Sequence, residues 1–164
     1  MSATDLENTL YLDVPAGRVV IQLRPDLAPG HVARIKELAR QKFYDGIVFH
    51  RVIEGFMAQT GDPRGDGTGG SGKKLKAEFN SAKHVRGTAS MARAQSPDSA
   101  DSQFFICFKP APFLDGKYTV WGQVTAGMEH IDAIKKGDED DNGAVEDPDK
   151  ITRMQVAADA EGGK

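Results

Sequence analysis

The chain has a single cysteine and a single tryptophan, and aromatic residues make up only 7% of its 164 positions. One cysteine forbids an internal disulfide, and Cys107 lies within FFICF, where a buried thiol acting as a small hydrophobe is the expected role. The sequence contains no apolar run of membrane-spanning length. The start MSATDLENTLYLDV has neither the basic residues nor the apolar stretch of a secretory signal, so a soluble cytoplasmic protein is expected. Neither sign of charge dominates: the net charge is −3, with acidic and basic residues well mixed. That balance gives no footprint for nucleic acid and no polybasic face for a membrane. Paired metal-ligand spacing is missing too, so His31, His50, His84 and His130 read as separate surface or packing residues. No nucleophile elbow occurs, which argues against hydrolase chemistry.

What is present suits one self-sufficient domain over residues 1–164, long enough to bury roughly 70% of its unfolded surface without disulfide or metal. Leu10, Leu12 and Val14, then Val19, Ile21 and Leu23, alternate with polar neighbours about Pro15-Ala16-Gly17, which predicts a β-hairpin. Val32, Ile35, Leu38 and Ala39 recur at helical spacing between Gly30 and Lys42. Short strand-like runs follow at 47–51, 56–60, 88–91, 103–107 and 120–124. A second helix is predicted over 127–136, and Ile151, Met154 and Val156 suggest a last strand. About eight short strands with two helices suit a closed antiparallel β-barrel whose ends the helices plug, since closure removes exposed edges.

Two loops imitate known ligand sites. GDPRGDGTGGSGKK, residues 61–74, satisfies two phosphate-loop patterns in form, but no helix follows it and Lys74 occupies the place of the magnesium-binding hydroxyl. A flexible or tightly turned loop is the favoured reading. Asp138, Asp140, Asn142 and Gly143 take the first, third, fifth and sixth places of a calcium loop. The twelfth, however, is Asp149 and Pro148 precedes it. A solvated acidic turn on Asn142-Gly143 is favoured there, with weak calcium binding as the alternative.

The most informative stretch is FHRVIEGFMAQTG, residues 49–61. One cation, Arg51, stands among apolar and amide side chains with no carboxylate pair, a combination that points to non-covalent catalysis or binding. Its counterpart is SQFFI, residues 102–106. Strand alternation puts Gln103 and Phe105 on one face and Phe104 and Ile106 on the other, so one face can line a pocket while the other fills a core.

In order and separation, FHRVIEGFMAQTGD, GDGTGG, SMARA, DSQFFICF, FLDGKYTVWGQV and GMEHIDAI resemble the bacterial branch of the cyclophilin family of peptidyl-prolyl cis-trans isomerases. The likeness runs from about residue 9 to 157, leaving 1–8 and 158–164 as expected flexible termini. It implies a closed eight-stranded barrel capped by two helices, isomerase activity that assists folding, and no cofactor or metal. Proline-containing peptides and unfolded or flexible protein segments are the implied partners of what would be a monomer.

Within that resemblance Arg51 matches the catalytic arginine, and Phe56, Met57, Phe105 and Leu114 match the apolar wall that receives the proline ring. Gln59 matches the amide that binds substrate backbone. Gly67, Ala92, Arg93 and Gln103 match the groove for residues before proline, and Phe113 and Tyr118 match rim positions. Departures occur where many eukaryotic members carry Trp, here Phe113, and His, here Tyr118. Weak cyclosporin binding is therefore expected. Arg93 stands where Asn is common, and residues 95–101 are rearranged. A proline-peptide binding module or holdase with little turnover is the alternative.

Overall fold

The structure is a computed structural model that describes residues 6–161. The chain opens with β1 (Thr9–Val14) and β2 (Gly17–Leu23), paired in antiparallel register from Thr9↔Gln22 to Val14↔Gly17, so Pro15 and Ala16 form the turn. Helix α1 (Pro29–Arg40) buries His31, Val32, Ile35, Leu38 and Ala39, the stripe its periodicity predicts. Then come β3 (Arg51–Ile53), β4 (Met57–Thr60), β5 (Thr88–Met91), β6 (Phe104–Cys107) and β7 (Val120–Ala126). Helix α2 (Met128–Asp132), β8 (Arg153–Val156) and helix α3 (Ala157–Glu161) complete the order. No described helix is long and apolar enough to cross a membrane.

All pairings between strands are antiparallel, in the order β3-β4-β6-β5-β7-β2-β1-β8. The sheet curls but does not close, which corrects the expected closed barrel to an open half-barrel. The edges β3 and β8 share no ladder. Instead the segments just before them meet at one bridge, Val48↔Lys150, flanked by backbone bonds from Phe49 to Asp149 and from Ile151 to Ile47. The strand expected over 47–51 is displaced for the same reason. Residues 47–49 seal the seam, with Phe49 fully buried, and regular pairing starts only at Arg51.

The termini also differ from expectation. Residues 158–161 belong to α3, not to a flexible tail, and Arg40 bridges Asp159 at one end of the chain and Glu7 at the other. Residues 6–8 are ordered as well, a helical turn in which Glu7 pairs with Lys36 and Arg40, and the remaining expected flexible residues, 1–5 and 162–164, lie outside the described residues. Helix α3 is a third helix beside the two expected.

The core fills the concave face. Phe104 and Ile106 of β6 point into it, with the Phe104 ring edge-on to Tyr44 at 5.5 Å and to Trp121 at 5.4 Å. Phe105 and Cys107 point the other way, into a second, smaller cluster with Met57, Ala111 and Leu114. The two-residue alternation of one strand thus separates core from site. Cys107 lies sealed in that second cluster, where burial pushes its thiol pKa up to about 12.

Candidate active site

The convex face of β3, β4 and β6 carries a pocket of about 130 Å³ lined by Arg51, Phe56, Met57, Gln59, Ala92, Arg93, Phe105, Leu114 and Tyr118. Drug-sized ligands need about 300–1,000 Å³, so this space suits a single small ring. Met57 and Phe105 form its floor because they lie diagonally on one face of paired strands: Met57 is opposite Cys107, and Phe105, two residues along, is opposite Gln59. Leu114 enters from a 3-10 turn at Pro112–Leu114 that packs on the same cluster.

Phe105 is braced from behind. The His84 ring stacks on it at 6.0 Å, Tyr118 meets it edge-on at 5.9 Å, and His84 is held by Asp115 through Nδ1 and by Ser90 through Nε2. The loop bearing Leu114 is thereby tied to the floor it overhangs.

A chain of hydrogen bonds runs across the mouth. Arg51 donates from Nη1 to Oε1 of Gln59 at 3.0 Å, from Nε to the backbone oxygen of Asn142 at 2.9 Å, and from Nη2 to Oδ1 of Asn142 at 3.1 Å. Gln59 in turn donates from Nε2 to Oε1 of Gln103 at 2.9 Å. Gln103 donates onward from Nε2 to the backbone oxygens of Gly67 and Gly69, each at 3.0 Å. Every acceptor of Arg51 is a neutral oxygen, so its charge is positioned without being neutralised. Partial burial lowers the guanidinium pKa from its usual value, yet arginine stays charged in proteins.

Beyond Gln59 the pocket opens into a cleft of about 500 Å³ whose lining includes Gly67, Ala92, Arg93 and Gln103. The loop that forms its far wall is folded around carboxylates. Buried Asp62 accepts the backbone N–H groups of Arg64, Asp66 and Gly67, while Asp101 accepts those of Ser71 and Gly72 and the Ser71 hydroxyl. The donors that a phosphate would need are thus already used by the protein's own acids, and of the two forms expected, flexible or tightly turned, the loop takes the tightly turned one. Gly61 makes the approach possible: its φ of +98° favours glycine, and a Cβ there would lie 2.4 Å from the Ser102 oxygen.

The sequence-derived residues therefore converge on one surface. Arg51, Phe56, Met57, Gln59, Ala92, Arg93, Phe105, Leu114 and Tyr118 line the pocket, and Gly67 and Gln103 line the cleft. Phe113 stands apart on the rim, 62% exposed, its ring 5.6 Å from that of Phe56. Arg93 sits over the Tyr118 ring at 4.7 Å and spends its donors on the backbone oxygens of Ala94, Gln95 and Lys117.

Sequence reasoning missed Asn142, Asp62, Asp101 and the bracing role of His84. The Asn142-Gly143 turn was visible, but not its meeting with an arginine 91 positions away. In the former calcium-loop candidate, Asp138 caps the Asp140 N–H, Asn142 holds Arg51, and Asp149 accepts from the Lys135 N–H. Among the described residues no group of three or more His, Cys, Asp or Glu is placed to hold a metal ion.

An open half-barrel with an outward ring-sized apolar pocket, an unneutralised cation at its mouth and an adjoining polar cleft is a fold with a non-covalent recognition site on its outer face. The family model described as "Cyclophilin type peptidyl-prolyl cis-trans isomerase/CLD" matches residues 9–156, and the chain belongs to the cyclophilin family of peptidyl-prolyl cis-trans isomerases. Similar proteins include the "Probable peptidyl-prolyl cis-trans isomerase" of Brucella suis, 54% identical over 170 residues, covering 96% of this chain and 87% of that one. Peptidyl-prolyl cis-trans isomerase B of Bacillus subtilis is 46% identical over 130 residues, covering 78% and 90%. Both agree with the bacterial branch. Among solved structures, a cyclophilin-type isomerase of Cryptosporidium parvum crystallised in the presence of the dipeptide Ala-Pro superposes with a TM-score of 0.82. It is 27% identical, covering 90% of this chain and 98% of that one.

Proposed function

We propose that this isomerase acts on X–Pro bonds in peptides and in unfolded or flexible protein segments, assists their folding, and uses Arg51 to weaken amide resonance in the twisted state. The observation that carries this reading is the guanidinium fixed by Gln59 and Asn142 beside a ring-sized apolar pocket. The relative studied with Ala-Pro supports a proline ring as the occupant.

Rotation about an X–Pro bond is opposed by amide resonance, with a barrier of about 18–20 kcal/mol for the peptide bond, and takes tens to hundreds of seconds unaided. No bond is broken and no proton need leave. As the amide twists, the nitrogen lone pair localises and becomes a hydrogen-bond acceptor, which a positioned cationic donor stabilises more than it does the planar ground state.

Arg51 cannot act alone. A hundred-thousand-fold acceleration requires roughly 7 kcal/mol, whereas one charge-assisted hydrogen bond supplies about 1.5–3 kcal/mol net. The balance falls to the pocket, which anchors the ring on Met57 and Phe105 while the preceding carbonyl swings, and to Gln59, whose amide is already oriented by Gln103.

Exchange of a short X-Pro-Phe peptide, followed with the native protein and with Arg51→Ala, tests the assignment. Loss of about ten- to a hundredfold in kcat/KM in a folded variant is expected from removing one charge-assisted donor. An unchanged rate in Arg51→Ala would remove the arginine from the mechanism. Binding without acceleration by the native protein would leave a recognition module or holdase.

A further inference from the structure

The cleft beside the ring pocket carries charge that the isomerisation does not use. Arg64 and Lys74 both line it, both are exposed, and neither side chain has a hydrogen-bond or ion-pair partner among the described residues. The one carboxylate in the lining, Asp101, already accepts three donors from Ser71 and Gly72. Arg93 adds a third cation whose partners are backbone oxygens and aromatic rings, which leave its charge uncompensated. The remaining wall is glycine backbone, the methyl groups of Ala92 and Ala94, the amides of Gln59 and Gln103 and the hydroxyls of Thr68 and Ser99, so the cleft is positive, with hydrogen-bonding groups beside small apolar ones.

From this juxtaposition we infer that the cleft selects substrates with an acidic side chain, Asp or Glu, within two residues of the proline, and that Arg64 and Lys74 determine that preference. The inference rests on the proline ring occupying the Met57–Phe105 pocket. Pocket and cleft share Gln59, Ala92 and Arg93. An extended peptide advances about 3.3–3.6 Å per residue, so a side chain one or two positions from the ring enters the cleft.

A carboxylate there meets flexible cations on a loop that is itself rigid, because Asp62 and Asp101 pin its backbone. Exposed ion pairs are individually weak and screened by salt, so the effect is a preference and not an absolute requirement.

The test is a peptide series in which Glu, Gln or Lys is placed in turn at each of the two positions on either side of the proline, with both catalysed exchange and equilibrium binding measured at low salt. At one position Glu is expected to exceed Gln by about three- to tenfold and Lys to fall below Gln, the gap narrowing in 0.5 M salt. The double variant R64Q/K74Q abolishes the Glu-over-Gln ratio, and R64E/K74E inverts it toward Lys, a gain that a damaged fold could not produce.

Equal handling of Glu and Lys at all four positions overturns the inference while leaving the isomerase intact, as does a preference that persists in R64Q/K74Q. If no peptide is accelerated, the proposed mechanism fails instead, and the binding ratios still decide whether the cleft reads charge.

Discussion

Arg51 and Gln59 face one another across the β3–β4 ladder, and the 3.0 Å bond from Nη1 to Oε1 leaves the Gln59 amide only one useful orientation. With its oxygen committed to Arg51, its nitrogen must point to Gln103, which is where the second bond is found. A neutral acceptor holds the cation without neutralising it. Gln59→Glu should therefore be more harmful than its size suggests. The carboxylate would form an ion pair with Arg51 and lose the donor to Gln103, lowering kcat/KM by about tenfold or more with little change in melting temperature. Steady-state exchange kinetics on the folded variant check this, and a rate equal to native would show that neutrality at Gln59 is irrelevant.

Asn142 holds the other side of the same guanidinium through Nε and Nη2. Its backbone oxygen survives substitution and its side-chain oxygen does not, so Asn142→Ala removes one of the three bonds. A fall of about three- to tenfold in kcat, with KM close to native, is expected if Asn142 only positions Arg51. A change confined to KM would make Asn142 a substrate contact.

Neighbouring phenylalanines on β6 should separate stability from activity. Phe104 is wholly buried among Tyr44, Trp121 and Ile106, so Phe104→Ala opens a cavity in the main core and should cost about 4–5 kcal/mol. Phe105 forms the pocket floor, where solvent can enter the space vacated. Phe105→Ala should cost about 2–3 kcal/mol yet raise KM by tenfold or more. Denaturant melts and peptide kinetics on both variants decide it. Equal stability costs would mean that the second cluster is as closed as the first.

That separation was legible in the sequence because alternation on a strand is a local rule, and the four residues from Phe104 to Cys107 obey it. The hairpin, the α1 stripe and β5 were legible for the same reason. The failures are long-range, with one short helix besides. Residues 47–49 look like a strand but pair only with residues 149–151, some hundred positions on, and no local pattern reveals that the sheet stays open there. Helix α3 has five residues, too few to show a period. Asn142 sits in a turn that its Asn-Gly pair announces, but its value to the site comes from Arg51 alone. Resemblance to a known family supplied the convergence of Arg51, Phe105 and Tyr118. Alternation alone set Phe105 opposite the core-facing Phe104 but did not bring it to Arg51 and Tyr118.

Phe113 offers a test of the rim. Its ring is exposed and leans on Phe56, presenting apolar area but no N–H donor. Cyclosporin should therefore inhibit weakly, and Phe113→Trp should tighten inhibition by about tenfold, the worth of one net hydrogen bond. Inhibition of the native protein at nanomolar drug would refute this.

His31 is a buried base whose titration should be visible in stability. Its ring is fully buried, Nδ1 lies 2.6 Å from Oε1 of Glu78, and Nε2 has no partner. Protonation would bury an unbonded N–H, and burial accordingly lowers the His31 pKa despite the opposing pull of Glu78. Below about pH 6.5, the usual histidine value, the unfolded chain then binds a proton that the folded chain refuses. Linkage makes stability complete above that value and lower as pH falls through it. Glu78 does not confuse the window. Burial pushes its pKa up, but bonds from the His31 ring and from the N–H groups of Gly30 and His31 hold it below the ordinary glutamate value, so its own contribution is lost only at lower pH. Melting temperature should thus decline between pH 7 and 5, at about 2–4 °C per kcal/mol lost. His31→Gln, which cannot titrate, should show a shallower decline than the native protein. His50 and His84, whose pKa values burial also lowers, contribute equally to both proteins and cancel in that difference. Parallel declines would mean that His31 takes up its proton as readily folded as unfolded.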